Sequence, residues 1–150
     1  MSNYFQEFDN KSVIITGAGK GIGRATVIEM ARRGAKVIAM ARTQSDLVSL
    51  QADIGCTTIK VDLTDNVDAR AAMKQAGTCD YLINCAGTNV LESVLVMTEE
   101  GYEAVWASTP SGRPDICAQE FARARVASGG GGSIVDFQSP EQSKHGSRTL

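Results

Sequence analysis

This chain of 150 residues has little of what several kinds of functional site require. Its single histidine, His145, lies in a polar C-terminal segment, so a Ser–His or Cys–His catalytic pair would have to use that residue. The four cysteines show neither a C-x-x-C pair nor a zinc-ligand spacing, which favours buried thiols in a reducing compartment. No apolar run approaches the ~20 residues of a membrane span. A formal net charge of −2 gives no electrostatic basis for binding nucleic acid.

The N-terminal sequence and the length restrict the kind of protein further. Residues 1–11 are polar and acidic, without the apolar core of a signal peptide. A length of 150 residues suits one folding unit with a sizeable hydrophobic core. We therefore expect a single domain over residues 1–150, located in the cytoplasm, with neither nucleic acid nor membrane as a partner.

The most informative stretch is glycine-rich. Residues 16–23 read TGAGKGIG, between a run of β-formers at 12–15 and an amphipathic segment at 22–33. Glycines without Cβ let backbone amides close on a phosphate, and a following helix directs its N-terminal amides to the same place. The pattern predicts a dinucleotide pyrophosphate site at the first β–α turn, against the alternative of a simple tight turn. The predicted cofactor contacts here are Gly17, Gly19, Lys20, Gly21, Ile22 and Gly23.

The spacing separates this turn from two other phosphate-binding motifs. A G-x-G-x-x-G fingerprint needs glycine where Ile22 stands, and a P-loop needs Ser or Thr where Gly21 follows Lys20.

Strand and helix patterns alternate along the chain. Apolar runs predict further strands at 36–41, 57–61, 80–83 and 133–139, and helical spacing predicts helices at 44–54, 66–76 and 117–127. A helix opening at residue 98 should break between 106 and 116, because Pro110 and Pro114 cannot lie inside it. The alternation indicates an α/β, Rossmann-like doubly wound parallel sheet of about five strands, with helices on both faces.

The end of the second strand bears on cofactor choice. NAD-binding domains usually carry an acid there for the ribose 2′-hydroxyl, but this chain reads Ala41-Arg42-Thr43. Arg42 and Lys20 are two cations that can reach a 2′-phosphate, which favours NADP(H); the alternative is two solvated surface cations. Thr43 is a further predicted cofactor contact beside Arg42. Thr43 and Asp46 also match an N-cap and a first-turn acid for the helix at 44–54.

Two motifs about 70 residues apart carry a family resemblance. Thr16-Gly17-x-x-x-Gly21-x-Gly23 resembles the cofactor loop of the short-chain dehydrogenase/reductase family, and Asn84-Cys85-Ala86-Gly87 resembles its Asn-Asn-Ala-Gly segment, with Cys85 in place of one Asn. Within that family, residues 17–24 and 41–47 are similar to the L-xylulose reductase branch, NADPH-dependent reductases of ketoses and α-dicarbonyls.

The resemblance assigns roles to residues further along the chain. It implies that Asp62, with Leu63, contacts the adenine; the alternative is an N-terminal cap of the next helix, a role open equally to Thr64 and Asp65. Asn84 can tie the central strands together through its side-chain amide, and the small Ala86 and Gly87 let the backbone pass close to the cofactor. All three are predicted cofactor-binding residues. The resemblance places Ser139 as the catalytic serine that binds the carbonyl, against an ordinary strand-end serine.

The chain departs from the family pattern at its other catalytic positions. Tyr4, Tyr81 and Tyr102 are its only tyrosines and none is followed four residues later by Lys; the family's Asn falls near Thr109. We therefore expect an NADP(H)-dependent reductase of a small carbonyl substrate that is C-terminally and catalytically incomplete, with residues 133–139 as an exposed edge strand. The alternatives are a non-catalytic NADP(H)-binding protein, as a homo-oligomer or assembled with full-length subunits, and a truncated chain without activity.

Overall fold

The computed structural model of the chain describes residues 6–87 and 114–137. Within these residues, five strands form one sheet: β1 (Ser12–Thr16), β2 (Lys36–Ala41), β3 (Thr57–Lys60), β4 (Tyr81–Asn84) and β5 (Ser133–Asp136). The same described residues contain four helices: α1 (Gly21–Arg32), α2 (Gln44–Ile54), α3 (Asn66–Ala76) and α4 (Pro114–Ala127). The predicted α/β doubly wound sheet is confirmed.

All strand pairs are parallel, in the order β3-β2-β1-β4-β5. The chain moves outward from β1 to β2 and β3, then returns to the other side of β1 with β4. The reversal creates a switch point between β1 and β4, where Ile14 pairs with Leu82 and Thr16 with Asn84. Ligands of open α/β sheets bind outside the carboxyl ends of the strands at such a point.

Alternate residues of the strands enter two separate cores, one on each face of the sheet. Val13 and Ile15 of β1 pack with α1 and α2, whose buried contacts include Val27 and Leu50. Ile14, between them in sequence, packs in the opposite core. That second core holds residues of α3 and α4, which are Ala69, Ala72, Met73, Ile116, Cys117 and Phe121. Burial on both faces explains the nearly continuous apolar runs of the strands.

The helix ends follow local rules. Gly34, at φ +90°, comes just after the end of α1, and Gly77, at φ +73°, caps α3. The predicted bounds match the observed ones for the helices at 66–76 and 44–54 and for the strand at 36–41. Helix α4 begins at Pro114, where a proline without N–H is tolerated in a first turn. The predicted helix from residue 98 and residues 106–113 of its predicted break lie outside the described residues. Residues 114–116, also assigned to that break, are helical instead, so α4 begins three residues before the predicted start at 117.

The far edge of the sheet is β5. Its four residues are exposed, as is Phe137 after it, and Ile134 and Val135 present apolar side chains. Within residues 6–87 and 114–137 no strand pairs with its outer edge, as expected. The strand prediction at 133–139 is confirmed as far as Asp136; residues 138 and 139 lie outside the described part. Across the described helices, none combines the length and apolar character needed to span a membrane.

Candidate functional site

In the glycine turn between β1 and α1, two glycines lie so close to other backbone atoms that a side chain would not fit. A Cβ on Gly17, whose φ is +65°, would lie 2.6 Å from the Cα of Ala86. A Cβ on Gly23 would lie 2.2 Å from the carbonyl oxygen of Gly17. Glycine is therefore required at both positions by the packing of the turn against β4 and of α1 against the turn.

The N-terminus of α1 offers free backbone donors. Its N-cap residue, Lys20, makes no side-chain capping hydrogen bond, and the first turn contains no acidic residue. The first N–H groups of a helix have no partner within the helix, so these donors and the positive end of the helix dipole suit an anion.

Thr16 joins the ends of β1 and β4. Its buried hydroxyl oxygen accepts hydrogen bonds from the backbone nitrogens of Cys85 and Ala86, each at 3.2 Å. These two bonds hold the segment after β4 directly beside Gly17. Thr16 was included in the sequence motif, but its contact with the β4 segment depends on strand pairing and was not predicted.

A second wall comes from the end of β2 and the start of α2. Arg42 and Thr43 are exposed there, and the backbone N–H of Ala18 donates to the carbonyl of Met40 at 2.9 Å. Thr43 is the N-cap residue of α2, as predicted, but its side chain makes no capping hydrogen bond. The Nζ of Lys20 lies 3.6 Å from Oδ2 of Asp46, in the first turn of α2.

A third wall follows β3. Oδ1 of Asp62 accepts hydrogen bonds from the backbone N–H of Thr64 at 3.0 Å and from its hydroxyl at 2.7 Å. These bonds, the backbone one first, lower the pKa of Asp62 below its ordinary value against the opposing effect of burial, with a smaller contribution from the charge of Arg42. The N-cap of α3 is Asp65, whose carboxylate accepts from the N–H groups of Val67 and Asp68. Asp62 does not cap that helix.

The segment after β4 closes the site. Cys85 is half-buried, and burial raises the pKa of its thiol to about 11. Asn84 is fully buried beneath the segment, and its Nδ2 donates to Oδ1 of Asp136 at 2.8 Å. Its side chain thus ties β4 to β5. Oδ1 of Asn84 has no hydrogen-bond partner within the described part of the chain.

These walls enclose one cavity of about 410 Å³ at the carboxyl ends of the strands. The predicted cofactor-binding residues that line it are Gly17, Gly19, Lys20, Ile22, Gly23, Arg42, Thr43, Asp62, Leu63, Ala86 and Gly87. Gly21 and Asn84 do not line the cavity: Gly21 begins α1 and Asn84 lies buried in β4. Ser139 lies outside the described residues.

Sequence reasoning missed part of the lining. The additional residues are Met40, Ala41, Asp46, Val61, Thr64 and Cys85. Most of them adjoin a predicted residue at a strand end. Asp46 differs, because it belongs to a helix and was interpreted only as a first-turn acid. Its contact with Lys20 depends on how α2 lies against the glycine turn, which local patterns do not specify.

Comparison with known proteins places this geometry in a family. The short chain dehydrogenase family matches residues 11–148. The chain belongs to that family. It is 36% identical to L-xylulose reductase of Mesocricetus auratus over 130 residues, which cover 86% of this chain and 53% of that protein. It is 35% identical to carbonyl reductase [NADPH] 2 of Sus scrofa over 133 residues, 88% of this chain and 54% of that protein.

The fold is shared with solved structures of the same family. A short-chain type dehydrogenase/reductase from Mycobacterium marinum matches with a TM-score of 0.80 at 29% identity, over 91% of this chain and 59% of that one. In the alignments with the two reductases, the chain spans about half the length of the curated relatives it matches. Short-chain dehydrogenases are oxidoreductases that use nicotinamide cofactors. A dinucleotide fits this site because it has a closely packed glycine turn, backbone donors at the start of α1 and a cavity beside them.

Proposed function

We propose that this protein is an NADP(H)-dependent oxidoreductase that reduces the carbonyl group of a small ketose or dicarbonyl compound, and that residues 1–150, as one domain, supply its cofactor-binding part. The observation that carries the proposal is the placement of Lys20 and Arg42 on one cavity with the glycine turn, with no acid at the end of β2. The names of two relatives, an L-xylulose reductase and a carbonyl reductase [NADPH], support the substrate class and the cofactor.

Each wall of the cavity has a task in this proposal. The amides of the glycine turn and of the first turn of α1 bind the pyrophosphate. Lys20 and Arg42 bind the 2′-phosphate, and Asp62 with Leu63 contacts the adenine. Ala86 and Gly87 offer backbone to the nicotinamide half. When bound, the nicotinamide supplies a hydride for the carbonyl carbon.

Ser139 supplies part of the catalytic side in this proposal. It would donate a hydrogen bond to the carbonyl oxygen, and the hydrogen bond between Asn84 and Asp136 holds the strand that precedes it. A proton donor must also serve that oxygen, and within residues 1–150 no Tyr is followed four residues later by Lys. The same cofactor site also suits a second candidate, a non-catalytic NADP(H)-binding protein that acts by binding or by assembly with full-length subunits or with copies of itself. Both candidates suit a cytoplasmic protein.

A thermal-shift titration tests the shared part of both candidates. NADPH should raise the melting temperature of the 1–150 chain at a concentration at least about tenfold lower than NADH, because two charge-assisted contacts distinguish the 2′-phosphate from a hydroxyl. Lys20→Met combined with Arg42→Met should abolish that difference. Lys74→Met, an exposed lysine in the last turn of α3, should leave it intact. Equal concentrations for NADPH and NADH in the unaltered chain would contradict the proposal.

Turnover separates the two candidates. The absorbance of NADPH is followed with L-xylulose or diacetyl as substrate, for chain 1–150 alone. We expect binding without turnover at a rate typical of enzymes. Rapid NADPH oxidation that depends on the carbonyl compound would remove the non-catalytic candidate and show that a group other than the Tyr–Lys pair supplies the proton.

A further inference from the structure

The carboxylate of Asp46 touches the glycine turn at two consecutive residues. Its Oδ2 lies 3.6 Å from Nζ of Lys20, and a Cβ added to Gly19 would lie 3.1 Å from the same oxygen. The Asp46 side chain is 20% exposed, whereas that of Lys20 is 79% exposed. The carboxylate thus lies largely buried at the cavity wall, and the exposed ammonium of Lys20 lies beside it.

Among the residues that the structure describes, four charged side chains line this cavity: Lys20, Arg42, Asp46 and Asp62. Asp62 is engaged by the backbone and hydroxyl of Thr64, and it lies beside Arg42 rather than Lys20. Arg24, on α1, donates to the backbone carbonyl of Asp46 and leaves the carboxylate free of a guanidinium partner. Lys20 is therefore the cation paired with the Asp46 carboxylate among the described residues.

We infer that Asp46 is a specificity-determining residue that competes with the cofactor 2′-phosphate for Lys20. The inference rests on the proposed function, since it assumes that Lys20 binds that phosphate. In the free protein the ammonium is paired with the carboxylate, and binding of NADP(H) transfers it to the phosphate. NAD(H) carries only a 2′-hydroxyl, so it leaves the pair in place.

Charge determines the direction of the effect. A phosphate dianion attracts an ammonium more strongly than a single carboxylate does, so the transfer is favourable, but it forfeits the Lys20–Asp46 contact. The carboxylate that remains also repels the incoming dianion. Asp46 therefore reduces the preference for NADP(H) over NAD(H), and an uncharged residue of the same shape should increase it.

The test is a binding titration of the full chain with NADPH and with NADH, for the unaltered protein and for Asp46→Asn. We expect Asp46→Asn to tighten NADPH binding about fivefold, the factor that one exposed ion pair near the top of its usual range contributes. NADH binding should change by less than about twofold. Asp53→Asn is the matched control: it removes the same charge from the same helix, but Asp53 pairs with Arg24 and does not line the cavity.

A double-mutant cycle shows whether Lys20 carries the effect. In a Lys20→Met background, Asp46→Asn should tighten NADPH binding clearly less than in the unaltered background, because the competition for the ammonium is gone and only the repulsion between carboxylate and phosphate is relieved. A gain as large as in the unaltered background, an equal gain for NADH, a similar gain for Asp53→Asn, or weaker NADPH binding by Asp46→Asn would each overturn the inference. If neither Asp46→Asn nor the unaltered chain binds NADPH, the proposed function itself fails; if both bind it equally, this inference alone fails.

Discussion

The hydroxyl oxygen of Thr16 lies 3.2 Å from the backbone nitrogen of Ala86, so a side chain at the end of β1 holds the segment that follows β4. The same oxygen accepts from the N–H of Cys85. One buried atom thus joins the two motifs that identify the family, across 70 residues of sequence.

Replacing Thr16 by valine should remove the hydrogen bonds that join those two motifs. Thr16→Val keeps the shape but leaves two backbone N–H groups without their acceptor, at a cost of about 1–3 kcal/mol in the free energy of unfolding. NADPH binding should weaken as well, because the Ala86 segment loses its anchor beside Gly17. Urea denaturation and a binding titration measure the two effects. Thr16→Ser, which retains the hydroxyl, should stay close to the unaltered protein; an equally large loss for Thr16→Ser would show that the methyl group, not the hydroxyl, matters.

Gly23 should be the least replaceable glycine of α1. Gly23→Ala places a Cβ 2.2 Å from the Gly17 carbonyl oxygen, so either α1 or the turn must shift. Overpacking of this kind costs about 1–3 kcal/mol, and NADPH binding should fall with it because the turn holds the pyrophosphate. Gly21→Asn provides the contrast for stability: a Cβ there meets no atom of the described residues within 4 Å, and Asn is among the residues that tolerate a φ of +54°. Similar losses of stability in urea denaturation for both variants would contradict this packing.

Cys85 should report occupancy of the cavity. It lines the cavity and is half-buried, whereas Cys56, Cys79 and Cys117 are buried. Because burial raises the pKa of the Cys85 thiol to about 11, its alkylation by iodoacetamide should be slow at neutral pH and should accelerate as the pH rises. Saturating NADPH should slow it further. Peptide mass spectrometry follows the modification, with Cys85→Ser as the control. Faster labelling of any of the other three in the folded protein would contradict the expected order.

Asp80 should make stability depend on acid pH. Its carboxylate accepts from the N–H and hydroxyl of Ser12, at 2.9 and 3.1 Å, and lies 3.6 Å from Arg125. The backbone bond from Ser12 is the largest cause of a pKa below the ordinary carboxyl value. A lowered folded-state pKa means that the stabilisation is complete above the unfolded pKa, about 4, and is lost as the pH falls through the lower folded value.

Asp80→Asn should therefore cost on the order of 1 kcal/mol at neutral pH and close to nothing in strong acid, where the unaltered carboxyl is protonated too. Urea unfolding as a function of pH measures the difference. If the free energies of unfolding of Asp80→Asn and the unaltered chain differed by the same amount from strong acid to neutral pH, the charge of Asp80 would not be what stabilises the fold.

How much the sequence predicts depends on whether the signal is local. The bounds of α2 and α3 were predicted closely because residues near the helix ends and apolar spacing are local signals. The glycine turn was predicted from its sequence motif. The role of Asp62 was open because Asp62, Thr64 and Asp65 offer similar chemistry within four positions. Backbone geometry separates them: Asp65 accepts from the first N–H groups of α3, and Asp62 from Thr64.

The remaining features depend on how distant segments meet. Asp46 reads as a helix-start acid, and only the packing of α2 against the glycine turn brings it to Lys20. Asn84 belongs to a motif associated with the cofactor, but it lies beneath the cavity rather than in its wall, because β4 directs it into the sheet toward Asp136. Side-chain direction at the end of a strand depends on register, which a four-residue strand does not reveal by itself.

The approach of Gly17 to Ala86 also limits how this protein can be recombined with its relatives. The space that a Cβ on Gly17 would need is filled by the backbone of Ala86. Chimaeras with a crossover between these residues take one side of the contact from each parent. They should fold where the parents share glycine at the first position and the same backbone path at the second. Where a parent has a longer turn after β4, the crossover should instead be placed before residue 12 or after residue 87, so that both sides come from one parent.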